Sequence, residues 1–301
     1  MTPFAELQQR FAGVDFLTFK ELAPGFVAID VRTAFSTASI ALQGAHVLTW
    51  QPVGHKPVIW LSKAAKFVSG KSVRGGVPLC WPWFGPHESE AGYPGHGFAR
   101  TIPWTLTDGR RLPDGRVRLE FAPEMNDAAR TQWPHASTVK ATVTVGQELV
   151  VGLATQNTGS VPFQLGQALH TYFAVGDIAQ ASVAGLSGRT FIDKVAGSKR
   201  KKQKGAVDFA GEVDRVYLDT TGCCGIIDPV LKRTILITST GSRSTVVWNP
   251  GQEKAAKMGD FGRQGEDRMV CVETANAADD VITLAPGQTH RMTAQYRIVP
   301  A

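Results

Sequence analysis

The chain has 301 residues, of which 43% are hydrophobic and 19% are charged, and its 32 Lys and Arg against 26 Asp and Glu give a formal net charge of +6. This apolar content excludes an intrinsically disordered protein, because the chain can bury enough surface to offset its conformational entropy. No stretch approaches the roughly 20 apolar residues of a membrane-spanning helix, so we expect a soluble protein.

The first predicted element is a short amphipathic helix at the N-terminus. Thr2 suits the N-cap and Pro3 the first helical position, and apolar residues then recur at helical spacing as far as Phe11. This pattern differs from that of a secretory signal peptide. We interpret residues 1–19 as an N-terminal extension that carries this helix.

Beyond this helix, apolar and polar residues alternate, as is typical of half-buried β-strands. Strands are predicted at 117–121, 139–145, 148–153, 233–238 and 291–298. The second and third are separated by a short turn and predict a hairpin. Long helical patterns between the strands are missing, which argues against a parallel sheet. The pattern favours an all-β fold, a large antiparallel sandwich or barrel with few short helices. We find no linker or shift in composition, so we predict a single domain over residues 1–301.

Five of the positive charges lie in one short run, and the net charge of +6 less these five is +1. The run consists of Lys199, Arg200, Lys201, Lys202 and Lys204. It lies between two glycines, which favours a solvated loop between strands. A localisation signal, a nucleic-acid contact and attraction of an anionic substrate are the alternatives. Since the rest of the chain is nearly neutral, we predict no nucleic-acid partner.

The four cysteines show neither CxxC spacing nor the density of a secreted disulfide scaffold. We therefore expect reduced thiols and a cytoplasmic protein.

Two loop segments, 72–86 and 94–100, are poor strand formers and are rich in Gly, Pro and aromatic residues. Arg74 and Arg100 carry planar guanidinium groups that suit phosphate or carboxylate. Flat apolar faces come from Trp81, Trp83 and Phe84. These segments predict the wall of a binding site, and the alternative is that the aromatic residues are core and the arginines form surface ion pairs.

Two titratable residues lie in otherwise apolar segments. His170 lies in segment 167–173, where a structural role is an open alternative. Glu273 lies between two valines, on the same strand face as Cys271, and a buried carboxylate is costly unless it has a partner or a chemical task. A His and a Glu on separate strands, with further groups on the loops, fit acid–base chemistry.

Other kinds of site fit the sequence less well. It contains no HExxH motif and no tight cluster of His and Asp, so we predict no metal site. The nucleophile elbow of a serine hydrolase, the phosphate-binding loop of an NTPase and the dinucleotide-binding fingerprint are also missing.

Seven segments together identify a known family. In chain order they are SVRGGVPLCWPWFGP, GHGFAR, ALHTYFAVGDI, FIDK, VDRVYLD, VVWNPG and MVCVETA. From about residue 20 to the C-terminus the chain closely resembles the glucose-6-phosphate 1-epimerases, the hexose-6-phosphate mutarotases of the aldose 1-epimerase superfamily. The resemblance implies a β-sandwich of the galactose mutarotase-like type and a hexose 6-phosphate substrate.

The resemblance also implies roles for individual residues. His170 and Glu273 match the family's catalytic histidine and glutamate. The positions that match substrate-binding residues are Arg74, His96, Arg100 and Asp214. Some family members have Gln at the position of Gly95, so in this chain that contact is absent or is made through water or backbone.

Interconversion of α and β anomers requires the C1 hydroxyl to lose a proton and the ring oxygen to gain one. An ionised Glu273 would be the base and a protonated His170 the acid, without a metal, nucleotide or redox cofactor. We expect the two side chains on opposite sides of one pocket, about the width of a pyranose ring apart. A mutarotase for free aldoses and a non-catalytic carbohydrate-binding sandwich are the alternatives, and we expect a monomer.

Overall fold

A computed structural model describes residues 3–300, so Thr2, the predicted N-cap, lies outside the described residues. The helices are α1 (Pro3–Arg10), α2 (Asp127–Gln132) and α3 (Gly251–Lys257), with 3₁₀ turns at Glu266–Arg268 and Ala278–Asp280. The first eleven strands are β1 (Leu17–Ala23), β2 (Phe26–Arg32), β3 (Ser36–Ala41), β4 (His46–Pro52), β5 (Leu79–Cys80), β6 (Trp104–Arg111), β7 (Val117–Pro123), β8 (Ser137–Val145), β9 (Leu149–Asn157), β10 (Phe163–Leu165) and β11 (Gln167–Leu169). The others are β12 (Tyr172–Ala174), β13 (Ser182–Ala184), β14 (Thr190–Asp193), β15 (Lys199–Lys202), β16 (Val213–Tyr217), β17 (Cys223–Asp228), β18 (Arg233–Thr240), β19 (Ser244–Asn249), β20 (Met269–Asn276), β21 (Ile282–Leu284) and β22 (Thr289–Pro300). No helix within residues 3–300 is both long enough and apolar enough to cross a membrane.

Two eight-stranded antiparallel sheets dominate the architecture. One has the order β13-β17-β18-β22-β9-β8-β7-β6. The other, which we call the site sheet, has the order β15-β14-β16-β19-β20-β11-β5, and β12 also pairs with β20. The strands β1 to β4 form a separate sheet in sequence order. The prediction of a large antiparallel all-β fold with few short helices is confirmed.

The main hydrophobic core joins these sheets. On β20, Val270 and Val272 belong to this core, whereas Cys271 and Ala275 pack in smaller clusters on the opposite face. The alternation predicted for this segment is therefore confirmed. It leaves the second face of the site sheet available for Glu273.

The strands predicted from alternation are confirmed in β7, β18 and β22. The predicted hairpin is formed by β8 and β9, and the Gly146 N–H donates to the Glu148 carbonyl in its turn. The N-terminal helix is also confirmed over the described residues, and Leu7 and Phe11 pack against the main core.

The predicted loop at the basic run is wrong, because residues 199–202 form β15, an edge strand paired with β14. Every residue of β15 is exposed, so the expected solvation is confirmed. Lys201 pairs with Asp193 at 2.7 Å and Arg200 with Asp279 at 2.7 Å. An edge strand needs partners on one side only, and charged side chains on it oppose pairing with another molecule.

The four cysteines are all free thiols, as expected. Cys223 is exposed, and the other three, at positions 80, 224 and 271, are buried.

Candidate active site

A cavity of about 570 Å³ lies over the face of the site sheet that points away from the main core. Its lining includes all six residues that the sequence predicts for catalysis or substrate binding: Arg74, His96, Arg100, His170, Asp214 and Glu273. The volume is typical of a small-molecule site. Sequence segments nearly 200 residues apart thus converge on one cavity.

The paired strands β16, β19 and β20 form the cavity floor, and their register places the functional side chains on it. Asp214 on β16 pairs with Trp248 on β19, and Val246 on β19 pairs with Glu273 on β20. Since neighbouring strands lie about 4.8 Å apart, at least roughly 10 Å of floor separates Asp214 from Glu273. A hexopyranose fits along this span.

A break between two short strands places His170 opposite Glu273. Leu169, at the end of β11, pairs with Thr274, and Tyr172, at the start of β12, pairs with Cys271. The sequence segment was interpreted as one strand, but it is interrupted at positions 170 and 171. The His170 Nε2 atom lies 3.5 Å from the Glu273 Oε1 atom.

Burial controls the protonation of this pair. His170 is 9% exposed and Glu273 is 2% exposed. Burial lowers the pKa of His170 well below its ordinary value, with further lowering from His96, Arg100 and Arg74. Burial, with a contribution from the Asp214 carboxylate, raises the pKa of Glu273 well above its ordinary value. Burial therefore favours the neutral form of both groups, a neutral imidazole beside a protonated carboxyl group, which differs from the expected ionised Glu273.

The pair lies in one cavity, as expected, but its members are adjacent and not on opposite sides. This difference has a chemical reason. In the interconversion of anomers that the resemblance implies, the two oxygens that would exchange protons, O1 and O5, are bonded to the same carbon of the sugar. Neighbouring acid and base groups therefore reach them more easily than groups separated by the width of a ring.

His96 forms the wall beside this pair. Its Nδ1 atom accepts a hydrogen bond from the Gly85 N–H at 3.3 Å, and the His96 and His170 ring centroids lie 5.7 Å apart. Burial, together with the charge of Arg100, lowers the pKa of His96 to about 4. The ring is thus neutral near pH 7, and with Nδ1 accepting, its Nε2–H is a donor.

The two arginines differ in how firmly they are held. Arg74 donates from Nε to the Asp260 Oδ1 atom at 3.1 Å and from a terminal nitrogen to the Tyr172 hydroxyl at 3.0 Å. Arg100 donates to the Gly95 carbonyl at 2.8 Å, and no carboxylate among the described residues forms an ion pair with it. Arg100 is therefore the arginine with more capacity for an anionic ligand.

His46 supports the turn that carries Arg74. It is 2% exposed, and its Nε2–H donates to the Gly75 carbonyl at 2.8 Å. Gly76 has a φ of 74°, and a Cβ at this position would overlap the His46 ring. The paired glycines of this segment are thus explained by positive φ and by close packing on a buried histidine.

This burial makes the stability of the protein depend on pH. Burial lowers the pKa of His46 from 6.5 to about 4. Because the unfolded chain binds the proton first as the pH falls, His46 costs stability between pH 6.5 and about 4, up to about 3 kcal/mol in total. We expect the unfolding free energy of His46→Gln to fall by roughly 2 kcal/mol less than that of wild type between pH 7 and pH 5, measured by urea denaturation. His55→Gln, at an exposed position, is the matched control and should follow wild type, and parallel curves for His46→Gln and wild type would contradict the expectation.

Of the aromatic residues in the loop, one lines the site and another belongs to the hydrophobic core. Trp81 is 1% exposed in the main core and donates from Nε1 to the Thr155 hydroxyl at 3.0 Å. Phe84 lines the cavity and lies against the His96 ring, with centroids 4.7 Å apart. The wall of the site is thus Phe84, whereas Trp81 is structural.

Sequence reasoning missed three charged residues that line the cavity. Lys194 follows β14, and Lys254 lies on α3, where it pairs with Glu212 at 2.6 Å. Asp260 follows α3 and holds Arg74. Lys194 belongs to the FIDK segment, which the family resemblance includes but to which it assigns no residue role. The helix and turn at 251–260 contain no motif that would have indicated a role for Lys254 or Asp260.

Gly95 occupies a position with room for a side chain. Its φ is not positive, and a Cβ would meet only the Gly85 carbonyl, at 3.8 Å. The backbone carbonyl of Gly95 accepts the hydrogen bond from Arg100, so a backbone contact occupies this part of the wall.

This space makes Gly95→Gln a sharp test of substrate contact. We expect the variant to fold normally and to lower KM for the sugar, because an added hydrogen bond contributes about 0.5–1.5 kcal/mol. Steady-state kinetics on Gly95→Gln and on Gly95→Ala, which adds the Cβ without the amide, separate the two effects. An equal KM for both variants would contradict the expected contact.

One group of three side chains within residues 3–300 has the spacing to hold a metal ion. It consists of His170, Cys271 and Glu273, whose ligand atoms lie within 4.8 Å of one another.

A buried His–Glu pair on the outer face of one sheet is suited to proton transfer to a small molecule, and comparison with known families gives the class of protein. The model of the aldose 1-epimerase family matches residues 28–297. The chain therefore belongs to the aldose 1-epimerase family, whose members are isomerases.

Within this family, the chain is similar to several individual proteins over most of its length. A protein of Escherichia coli that is provisionally named a glucose-6-phosphate 1-epimerase is 44% identical over 243 residues, 80% of each chain. A protein of Cenchrus ciliaris with the same provisional name is 33% identical over the whole of this chain and 89% of its own. The crystal structure of a provisionally named mutarotase from Salmonella typhimurium matches with a TM-score of 0.89 at 37% identity, covering 98% of this chain and 100% of the other. A galactose mutarotase-like protein from Clostridium acetobutylicum, at 13% identity, has a TM-score of 0.73 over 95% of this chain and 98% of its own and shares the fold. The predicted galactose mutarotase-like fold is confirmed.

Proposed function

We propose that the protein is a hexose-6-phosphate mutarotase that interconverts the α and β anomers of glucose 6-phosphate. The observation that carries the proposal is the pair of His170 and Glu273, 3.5 Å apart on the floor of a cavity that Arg74 and Arg100 also line. The provisional names of the relatives from Escherichia coli and Cenchrus ciliaris support the same substrate.

Ring opening uses the pair as a proton relay. With one member protonated and the other not, the base takes the proton of the C1 hydroxyl while the acid gives its proton to O5. The number of protons on the pair is the same before and after this step, because the acid loses one proton and the base gains one. The two groups have then exchanged their roles. The C1–O5 bond breaks, the aldehyde turns about the C1–C2 bond, and closure on the other face reverses the transfers.

Substrate binding favours the charged form of the pair, in which Glu273 is the base and His170 the acid. Burial lowers the pKa of His170, and the charges of His96, Arg100 and Arg74 lower it further. A phosphate bound between these arginines offsets their field and so favours protonated His170. The phosphate charge of the substrate thus favours the protonated form of His170, which acts as the acid.

The remaining site residues bind the sugar. The neutral His96 donates from Nε2–H to a sugar oxygen near C1, and Asp214, across the floor, accepts from hydroxyl groups. Arg74 and Arg100 hold the 6-phosphate away from the reacting carbon.

Two alternatives are weaker. A mutarotase for free aldoses has no use for two arginines in the cavity. A non-catalytic carbohydrate-binding protein has no use for a desolvated pair in which His170 Nδ1 and Glu273 Oε2 have no hydrogen-bond partner among the described residues. Leaving such atoms unpaired costs about 1–3 kcal/mol each, which a catalytic task explains and a structural role does not.

The proposal also covers the cellular compartment, the oligomeric state and the partners of the protein. Four free thiols favour a reducing compartment, so we propose a cytoplasmic enzyme. We also propose a single-domain monomer that has no nucleic-acid or membrane partner. The reaction consumes no nucleotide or redox cofactor.

Anomer exchange measured by NMR saturation transfer tests this function. Glucose 6-phosphate, free glucose and free galactose are compared at equal concentration with catalytic amounts of the protein. We expect acceleration of the phosphate ester well above that of either free sugar. Equal acceleration of all three would leave a free-aldose mutarotase, and no acceleration of any sugar would leave the non-catalytic alternative.

A further inference from the structure

Three buried side chains at the cavity floor have chemistry that suits a transition-metal ion, and two of them, His170 and Glu273, line the cavity. One ring nitrogen of His170, the Sγ atom of Cys271 and a carboxylate oxygen of Glu273 lie within 4.8 Å of one another. Cys271 and Glu273 are alternate residues of β20 and therefore point to the same face, and His170 lies opposite Glu273 across the strand pair. Two of the ligands thus come from β20, and the third comes from the break between β11 and β12, which both pair with β20.

The spacing is close to that of a zinc site. Tetrahedral zinc with bonds of about 2.0–2.3 Å holds neighbouring ligand atoms roughly 3.3–3.8 Å apart. The 3.5 Å between His170 Nε2 and Glu273 Oε1 already lies in this range. Since no ligand pair exceeds 4.8 Å, an inward shift of about 1 Å or slightly more brings the Cys271 sulfur into position.

Unpartnered atoms of the same group give independent support. His170 Nδ1 and Glu273 Oε2 are buried and have no hydrogen-bond partner among the described residues. The Glu273 carboxylate is therefore free to coordinate through either oxygen. The Glu273 side chain is 2% exposed and the His170 side chain is 11% exposed, and both line the cavity.

Charge and donor type select the ion. A divalent cation that binds here displaces the thiol proton of Cys271 and the carboxyl proton of Glu273 to solvent. Its complex with the resulting thiolate and carboxylate is neutral, so a floor bordered by Tyr172 and Trp248 can hold it without a net buried charge. A nitrogen and a sulfur donor favour zinc and similar transition metals, whereas magnesium and calcium require oxygen ligands.

We infer that His170, Cys271 and Glu273 form an inhibitory binding site for Zn²⁺ or a similar transition-metal ion, with the fourth coordination position open to the cavity. A bound ion occupies both members of the proton-relay pair, so metal and sugar exclude each other. Binding of the ion is independent of any turnover, and only the inhibition rests on the proposed function.

Cobalt is a direct probe of the site. Co²⁺ added to the full-length protein is expected to give a thiolate-to-cobalt charge-transfer band in the near ultraviolet, which Zn²⁺ then abolishes by displacement. The band should be lost in Cys271→Ser and retained in Cys223→Ser, the matched control at the exposed thiol. Absence of the band from wild type, or its loss in Cys223→Ser with retention in Cys271→Ser, would overturn the inference. If Cys271→Ser does not fold, His170→Asn serves instead, and an undiminished band in that variant would equally overturn it.

Inhibition is measured separately. Zn²⁺ is expected to raise KM for glucose 6-phosphate without lowering kcat, and EDTA should restore the original value. Cys271→Ser should weaken the inhibition at least about tenfold, since loss of even an outer-shell partner costs 10–100-fold in metal affinity. Zinc binding without inhibition would overturn the inhibitory role. A cobalt band in a protein that accelerates no sugar would instead refute the proposed function and leave the metal site standing.

Discussion

Glu273→Gln is expected to lower anomer exchange of glucose 6-phosphate by about 10²- to 10⁴-fold, the usual contribution of a positioned acid or base. The amide keeps the shape of the carboxyl group but cannot take up or release a proton. Because burial raises the pKa of Glu273 and favours its neutral form, a neutral amide should be tolerated in the fold. The loss is therefore expected in kcat, measured by saturation transfer, with an unchanged midpoint of thermal unfolding.

The control for this substitution is Glu124→Gln, which makes the same change just after β7 on the other eight-stranded sheet. It should exchange glucose 6-phosphate at the wild-type rate. His170→Asn should match the loss of Glu273→Gln, since either substitution leaves the relay with one member. Exchange that survives both substitutions would refute the acid–base roles.

Arg100→Gln is expected to reduce kcat/KM for glucose 6-phosphate by roughly 10- to 150-fold, because a hydrogen bond to a charged group contributes about 1.5–3 kcal/mol. Arg100 is the informative arginine because no carboxylate within residues 3–300 pairs with it, whereas Arg74 is held by Asp260 and Tyr172. Free glucose lacks the phosphate, so its much slower exchange should change little. The measurement is the ratio of kcat/KM for the two sugars.

The matched control is Arg118→Gln on β7, where the guanidinium pairs with Glu120. This variant should keep the wild-type ratio. An equal loss on phosphorylated and free sugar in Arg100→Gln would show that the arginine acts on the sugar ring or on the fold, and would remove it from phosphate recognition.

Much of the fold was predictable because alternation is local. The patterns at 139–145 and 148–153 specify two strands and a turn without knowledge of the rest of the chain. The pattern fails at β15, where charged residues point to both sides. An exposed edge strand carries no alternation, so its sequence cannot be distinguished from a solvated loop.

The candidate site was predictable residue by residue from the family segments, but its geometry was not. The adjacency of His170 and Glu273 depends on the register between β11, β12 and β20, which is set by pairing across about 100 residues. The neutral state of the pair depends on burial, which the sequence does not specify. Lys254 and Asp260 were missed because their segment is typical of a solvated helix and turn.

Because side chains alternate along β20, one face of this strand packs in the main core and the opposite face carries Glu273. Residues that face the main core hold the sandwich together, whereas Glu273, on the opposite face, lines the cavity. One strand therefore carries both the packing of the sandwich and a group of the cavity floor. An insertion of one residue in β20 would exchange the two faces and abolish both properties at once.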